Sequence, residues 1–151
     1  MLNSKKHITD VQQLLSYLDR ENKKIVFTNG CFDLLHQGHL HLLKEAKKLG
    51  DKLIVAINND ASVRKLKGET RPIETLEIRI EKLTALDDVD YVISFSDDTP
   101  LLLIEQIQPD VLVKGGDYKI DEIIGRQFAK NITIIPLLSG FSTTKIIGER
   151  K

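Results

Sequence analysis

Short apolar runs rich in β-branched residues alternate along this chain with segments of helical periodicity. The runs are three to five residues long and bounded by polar or turn residues, which is typical of strands buried on both faces of a sheet. They cover residues 25–28, 53–57, 91–95, 111–113 and 132–135. Because strands that alternate with helices form βαβ units, the pattern predicts an α/β fold with one doubly wound, five-stranded parallel sheet.

Helical segments are expected before and between these strands. The first shows the i, i+3, i+4, i+7 spacing at Val11, Leu14, Leu15 and Leu18. Thr9, with Gln12 three residues later, has the form of a capping box at its start. Further helices are predicted over 38–49, over 75–86, from Thr99-Pro100 to a point before Pro109, and more weakly over 121–129 and 143–148. We therefore expect a single domain over residues 1–151, with an N-terminal helical segment (1–22) packed on it.

Charge and cysteine content narrow the possible functions. The chain has 151 residues, with 22 Lys and Arg against 22 Asp and Glu. A net charge of zero argues against nucleic-acid binding through a basic surface and against attachment to a membrane surface. The single cysteine, Cys31, excludes an internal disulfide and a multi-cysteine zinc site. With no apolar run near the ~20 residues that span a bilayer and no signal-peptide pattern, we expect a cytoplasmic protein.

Two polar, glycine-bearing segments directly follow predicted strands. Residues 29–39 follow the first strand, and residues 114–118 follow the fourth. In doubly wound sheets, ligands bind beyond the carboxyl ends of the strands, at the point where the strand order reverses. These two segments are therefore the expected binding site.

His36 and His39 stand three residues apart at the predicted start of a helix. That spacing places both imidazoles on one face of the first turn, where free backbone N–H groups also favour anions. Gly38 between them lets an anion approach the backbone closely. The pattern favours a phosphate-binding site. Zinc binding by the pair, without an obvious third ligand, and plain capping or surface roles are the alternatives.

The string Gly30-Cys-Phe-Asp-Leu-Leu-His-Gln-Gly-His39 resembles the signature of the cytidylyltransferase-like nucleotidyltransferases of the HxGH type. Three further stretches agree in order: Arg64-Lys-Leu-Lys-Gly68 with Arg71-Pro72, Val113-Lys-Gly-Gly-Asp-Tyr118, and Ser142-Thr-Thr-Lys-Ile-Ile147. The resemblance implies a Rossmann-like fold. It also implies an enzyme that joins a nucleoside triphosphate to a phosphorylated partner and releases pyrophosphate.

Within that family the chain most resembles the heptose-1-phosphate adenylyltransferases of the RfaE domain II type. The likeness includes Asp98-Thr-Pro100 and the 113–118 stretch. Glycerol-3-phosphate cytidylyltransferases resemble it less, because they usually carry Arg-Thr-Glu-Gly where this chain has Leu138-Ser-Gly-Phe141. Larger bifunctional relatives fuse a sugar kinase upstream, which we do not expect within these 151 residues, and the 126–132 segment looks shorter than its usual counterpart.

The resemblance also implies roles for individual residues. The expected catalytic residues are His36, His39, Lys65 and Lys67. The expected nucleotide-binding residues are Asn29, Gly30, Cys31, Phe32, Gly38, Arg79, Lys114, Gly115, Gly116, Asp117, Ser142, Thr143 and Thr144. Asp33 and Tyr118 are expected to bind the acceptor substrate. No residue is expected to hold a resident metal ion, although Mg²⁺ is expected to accompany ATP, and a homodimer is expected.

Plainer interpretations of several residues stay open. Lys65 and Lys67 are expected on a polar loop after the second strand, where they could form only a solvated face; Arg79 could pair at the surface, and Cys31 could serve packing alone. The predicted reaction is in-line attack by a sugar 1-phosphate on the α-phosphorus of ATP, which needs no general base because the acceptor phosphate is already largely a dianion. The alternatives are CTP with glycerol 3-phosphate, and a non-catalytic nucleotide sensor.

Overall fold

The protein is built on one parallel sheet, seen in a computed structural model that describes residues 6–18, 22–116 and 119–136. Six strands form it in the order β1-β4-β3-β2-β5-β6, and every pair is parallel. The strands are β1 (His7–Ile8), β2 (Ile25–Gly30), β3 (Lys52–Asn58), β4 (Tyr91–Phe95), β5 (Val111–Gly115) and β6 (Asn131–Ile135). The predicted parallel α/β fold is thus confirmed.

The strand count differs from the predicted five because β1 is an additional edge strand. It pairs with β4 through His7 opposite Val92 and Ile8 opposite Ile93. The Lys6 carbonyl extends the contact by accepting a hydrogen bond from the Val92 amide at 2.8 Å. A strand of two residues has no alternation to detect, so only its partner reveals it.

The helices flank the sheet at α1 (Val11–Tyr17), α2 (Gln37–Lys47), α3 (Asp60–Lys67), α4 (Leu76–Thr84) and α5 (Leu101–Ile107). The weak helix predicted over 121–129 consists of two short 3₁₀ turns, Ile120–Glu122 and Arg126–Phe128. Gly125 separates them with φ 86°, and a Cβ there would lie 2.7 Å from Ile104. The helix predicted over 143–148 lies outside the described residues. No helix in the described part of the chain is long and apolar enough to cross a membrane.

Two helix predictions were wrong in detail. The start of α1 is capped by Asp10, whose carboxylate accepts from the Gln12 amide at 3.1 Å, rather than by Thr9. The segment carrying Lys65 and Lys67 is the helix α3, where a polar loop was predicted. Its cap is Asn59, which accepts from the Ser62 amide at 2.8 Å. Val63 is the one buried apolar side chain of this helix, so the sequence shows no apolar periodicity that would predict a helix here.

The hydrophobic core is split by the sheet into two layers. Alternate residues of the central strands point to opposite faces, so that Val26 joins one layer while Ile25 and Phe27 join the other. The first layer includes buried side chains of α2 and α4, and the second includes those of α1 and α5. Both faces are therefore covered, which is the reason the strands are almost wholly apolar.

The strand order reverses between β2 and β5. From β2 the chain moves through β3 to β4 on one side, and then returns to place β5 on the other side of β2. The carboxyl ends at this point are Asn29-Gly30 and Lys114-Gly115. This places the two segments singled out from the sequence next to each other.

Arg79 ties the carboxyl edge of the sheet to the loops above it. Its side chain on α4 is 0% exposed. The guanidinium donates to the carbonyls of Cys31 and Asn58, each at 2.8 Å, and of Glu74 at 3.1 Å, and pairs with Asp60 at 2.7 Å. The predicted contact between Arg79 and phosphate is therefore corrected: buried carbonyls take the donors that a ligand would need.

Removing this guanidinium should destabilise the fold strongly. We expect Arg79→Met to lower the free energy of unfolding by about 3–5 kcal/mol, because three carbonyls and a carboxylate lose their donor. Lys82→Met is the matched control on the same helix, since Lys82 pairs with Glu74 near the surface and should cost no more than about 1 kcal/mol. Urea unfolding monitored by circular dichroism measures both. Equal losses in the two variants would contradict the clamping role.

Candidate active site

A cleft of about 650 Å³ opens at the carboxyl ends of the strands, where the strand order reverses. Ten residues predicted for the site line it: Asn29, Gly30, Cys31, Phe32, Asp33, His36, Gly38, His39, Lys67 and Lys114. Lys65, Arg79, Gly115 and Gly116 do not line it. Asp117, Tyr118, Ser142, Thr143 and Thr144 lie outside the described residues. The sequence motifs therefore predicted the position of the cleft. Other residues that line the cleft were not predicted from the sequence.

His36 and His39 form the start of α2 and share a reciprocal capping arrangement. His36 is the N-cap, and its Nδ1 accepts from the Gly38 amide at 3.1 Å. His39 lies at the third helical position, and its Nδ1 accepts from the His36 amide at 3.3 Å. The two rings stack with centroids 3.8 Å apart and planes inclined by 25°. The capping role considered from the sequence is thus real, and it uses only one nitrogen of each ring.

The capping bonds determine the protonation of both rings. A nitrogen that accepts a hydrogen bond carries no proton, so each neutral ring holds its hydrogen on Nε2. The pKa of His39 is lowered to about 4, mainly by burial; the neighbouring His36 contributes to this shift, and Asp33 opposes it. Burial also lowers the pKa of His36. At neutral pH the pair therefore supplies two uncharged Nε2–H donors on the cleft wall.

A zinc site at His36 and His39 would lack a third protein ligand among the described residues. No group of three His, Cys, Asp or Glu side chains in the described part of the chain is arranged to hold a metal ion. Each histidine also lends its Nδ1 to a backbone amide, so only Nε2 is open to a ligand. These features favour an anion over a cation at this point.

The loop between β2 and α2 follows an unusual backbone path. Phe32 and Leu34 adopt positive φ angles of 50° and 57°, which cost of order 1 kcal/mol or more each for residues other than glycine. Both side chains are buried, and the Phe32 ring lies 5.3 Å from the His39 ring. At Gly30 a Cβ would come within 3.0 Å of the Phe32 ring. Burial of the two side chains stabilises the path that presents the histidines to the cleft.

Asp33 joins this loop to the segment before α4. Its side chain is 1% exposed and accepts from the amides of Ile73 at 2.8 Å and Glu74 at 2.9 Å. Glu74 returns the contact, because its carboxylate accepts from the Leu34 amide at 3.0 Å. The sequence suggested that Asp33 orients the acceptor substrate. The structure gives its carboxylate an anchoring role, although the residue does lie on the cleft wall.

Among the described residues, the basic side chains that line the cleft are Lys67, Arg71 and Lys114. Burial lowers the pKa of Lys114; Cys31 counteracts this shift, and the positive charge of Lys67 adds to it. The two lysines therefore approach each other closely enough for their charges to interact. A polyanion bound between them would relieve this repulsion.

Lys65 lies away from its predicted position in the cleft, whereas the environment of Cys31 agrees with one of its two interpretations. Lys65 is 69% exposed and pairs with Asp98 at 2.9 Å at the surface, so its predicted catalytic position is not on the cleft wall. Burial raises the pKa of the Cys31 thiol, against the opposing effect of Lys67, Arg79 and Arg71. A protonated, half-buried thiol agrees with the packing interpretation of this cysteine.

Several residues of the cleft were not predicted as site residues. The polar members of this group are Asn58, Arg71, Asp98, Thr99 and Glu122. Arg71 stands three residues after Gly68 and was part of the lysine-bearing stretch quoted for the resemblance, so this motif was the available signal. Glu122 comes from the 3₁₀ turn after β5, and nothing in its spacing pointed to the cleft.

Comparison with known proteins agrees with this geometry. The profile of the family described as Cytidylyltransferase-like matches residues 27–149. The bifunctional protein HldE of Helicobacter hepaticus is 55% identical over 129 residues, which are 85% of this chain and 27% of that protein. HldE of Campylobacter concisus is 51% identical over 146 residues, 97% of this chain and 30% of that protein. The chain thus spans less than a third of the length of these relatives.

Solved structures extend the likeness to the fold. A lipopolysaccharide core biosynthesis protein from Thermoplasma volcanium superposes with a TM-score of 0.63 and 29% identity, covering 77% of this chain and 97% of that one. A pantoate-beta-alanine ligase from Francisella tularensis has the same TM-score of 0.63 at 18% identity, over 94% of this chain and 75% of that one, and shares the fold alone. The matched profile includes the histidine loop, the cleft and the reversal point. The resemblance found in the motifs is therefore confirmed: the chain belongs to the cytidylyltransferase-like family of nucleotidyltransferases.

Proposed function

We propose that this chain transfers the adenylyl group of ATP to a heptose 1-phosphate, giving ADP-heptose and pyrophosphate. The observation that carries the proposal is the stacked His36–His39 pair at the start of α2, which offers two neutral Nε2–H donors inside a cleft at the reversal point. The choice of adenine and heptose is supported by the RfaE-type motifs and by the similarity to HldE proteins. The homodimer expected from the same resemblance stays a prediction.

The proposed chemistry is one in-line displacement. An oxygen of the acceptor phosphate attacks the α-phosphorus of ATP, the new P–O bond forms, and the bond to the β-phosphate oxygen breaks. Pyrophosphate carries away the electron pair of that bond. The acceptor phosphate is largely a dianion at pH 7, with a second pKa near ~6, so no side chain must remove a proton. This agrees with the described lining of the cleft, which holds donors and cations but pairs no nucleophile with a base.

The residues would act by alignment and electrostatic stabilisation. The Nε2–H groups of His36 and His39, with the α2 amides, would donate to the α- and β-phosphates. Lys67 would offset charge that develops on the departing pyrophosphate. Since both histidines are neutral, they would stabilise the phosphates by directed hydrogen bonds and would keep this role throughout the physiological pH range.

Magnesium would accompany the triphosphate rather than reside in the protein. The described cleft wall carries three carboxylates, Asp33, Asp98 and Glu122, and they do not form a joint ligand group. Mg²⁺ keeps several waters and is usually bound through phosphates plus one or two carboxylates, so this sparse set fits it. When bound, the ion would neutralise phosphate charge; Asp98 and Glu122 are the carboxylates that would hold its water shell.

The choice of substrate should be steep. With ATP and D-glycero-D-manno-heptose 1-phosphate, we expect pyrophosphate to appear together with an equal amount of ADP-sugar. CTP with glycerol 3-phosphate should react at least ~100-fold more slowly, because a site that hydrogen-bonds one base leaves polar groups unpaired around another. A coupled pyrophosphate assay with product analysis measures both reactions. The reverse ranking would favour the cytidylyltransferase alternative, and no release with either pair would favour a sensor.

The histidine donor should matter for turnover rather than for folding. We expect His39→Ala to reduce kcat by about 10²–10³-fold, the effect of losing one transition-state donor. His41→Ala is the matched control, because His41 lies on the same helix but not on the cleft wall. Its kcat should stay within about twofold of the parent value, since it touches no reacting group. Near-normal kcat in the His39 variant would remove this donor role.

A further inference from the structure

Arg71 reaches the cleft with part of its guanidinium in use and part of it open. The side chain is 13% exposed, and Nε donates to Oδ2 of Asp33 over 3.1 Å. Among the described residues, neither Nη group has a hydrogen-bond partner. No buried side-chain nitrogen in this part of the protein lacks a partner, so both Nη groups must be accessible, and the residue lines the cleft.

Asp33 holds Arg71 in a fixed orientation. The Asp33 carboxylate is itself fixed by the amides of Ile73 and Glu74, and Glu74 in turn binds the Leu34 amide. These backbone contacts already connect the loop between β2 and α2 to the segment before α4. The connection therefore does not require the guanidinium of Arg71. A guanidinium anchored at Nε presents Nη1 and Nη2 as a planar pair of donors, with little side-chain entropy left to lose on binding.

The position of Arg71 relative to the other charged groups suggests which anion it receives. Arg71 binds Asp33, which lies three residues before His36 in the loop between β2 and α2, and Arg71, His36 and His39 line the same cleft. Arg71 therefore stands beside the loop that carries the histidine pair. In the proposed reaction the histidines hold the nucleotide phosphates, and a second, dianionic phosphate must approach them. Such an approach needs its own cation, because two phosphate groups repel each other.

We propose that the two Nη groups of Arg71 bind the phosphate of the acceptor substrate and hold it against the nucleotide. A planar pair of N–H donors matches two oxygens of one phosphate group, and such charge-assisted bonds are stronger than neutral ones. This role rests on the proposed function and adds detail to it. It assigns binding of the acceptor phosphate to Arg71, a residue to which the sequence motifs gave no role. Asp33 then acts as a positioning residue through Arg71.

A binding measurement tests this role independently of turnover. Inorganic phosphate serves as the probe for the acceptor phosphate, and the protein is first saturated with α,β-methylene-ATP and Mg²⁺. Phosphate affinity is measured by ³¹P NMR titration, and analogue affinity by calorimetry, for the parent chain, Arg71→Gln and Arg64→Gln. Arg64 is the matched control, since it is exposed on α3 and absent from the cleft wall. If Arg71→Gln fails to fold in a thermal scan, Arg71→Lys replaces it, because it keeps the charge and loses the fork.

We expect Arg71→Gln to weaken phosphate binding by about 10–100-fold, the range for losing hydrogen bonds to a charged group. Affinity for the nucleotide analogue should change by less than about threefold, and Arg64→Gln should match the parent chain in both measurements. Unchanged phosphate affinity, no phosphate binding by the parent chain in the millimolar range, or an equal loss of analogue affinity would overturn the role. A parent chain that binds phosphate through Arg71 but releases no pyrophosphate would contradict the proposed function alone.

Discussion

The buried guanidinium of Arg79 is the contact on which the arrangement of the cleft depends. It joins the end of β2 at Cys31, the end of β3 at Asn58 and the segment before α4 at Glu74. Asn58 is the last residue of β3, and Cys31 and Glu74 lie outside the strands; the guanidinium supplies hydrogen-bond donors to all three carbonyls. A single side chain thus donates hydrogen bonds to three backbone segments and holds them at fixed positions relative to one another. The histidines, Asp33 and Arg71 all stand on backbone fixed in this way.

The cleft combines neutral donors with separate cations, and this division suits two phosphates in one site. His36 and His39 donate without charge, because their Nδ1 atoms are engaged by backbone amides and burial disfavours the imidazolium. Lys67 and Lys114 line the same cleft, and the positive charge of Lys67 contributes to lowering the pKa of Lys114. Directed donors would fix the geometry at the reacting phosphorus, while the cations would offset the total charge of the bound polyanions.

The sequence predicted the strands well because their signal is local. The segment 91–95 matches β4 at both ends, whereas β2 and β5 each continue for two residues beyond the predicted limit. Those residues, Asn29-Gly30 and Lys114-Gly115, are polar or glycine, yet they still pair in the ladder. The apolar pattern ends where the residues begin to serve the cleft. For this reason the strand ends and the site were predicted as separate features although they are the same residues.

The wrong predictions share one physical cause, which is that a polar side chain does not reveal its partner in sequence. Arg79 was expected to bind phosphate and instead binds carbonyls, and Asp33 anchors a loop that begins 40 residues later at Ile73. Helix α3 escaped detection because its cap, Asn59, is its main local signal. His36 and His39 were predicted to share the first turn of a helix because they are three residues apart, and their phosphate role stays a prediction. Interactions within a turn follow from spacing, whereas those between loops require the fold.

The central claim is that His36 and His39 meet the phosphates as neutral Nε2–H donors. Two-dimensional ¹H–¹⁵N NMR of the imidazoles, recorded on the ¹⁵N-labelled protein through a pH titration with and without MgATP, tests it most directly. We predict the Nε2–H tautomer for both rings at pH 7, protonation of His39 only near pH 4, and a shift of both Nε2 signals on adding MgATP. Imidazolium or the Nδ1–H tautomer at pH 7, or Nε2 signals that ignore the nucleotide, would contradict it.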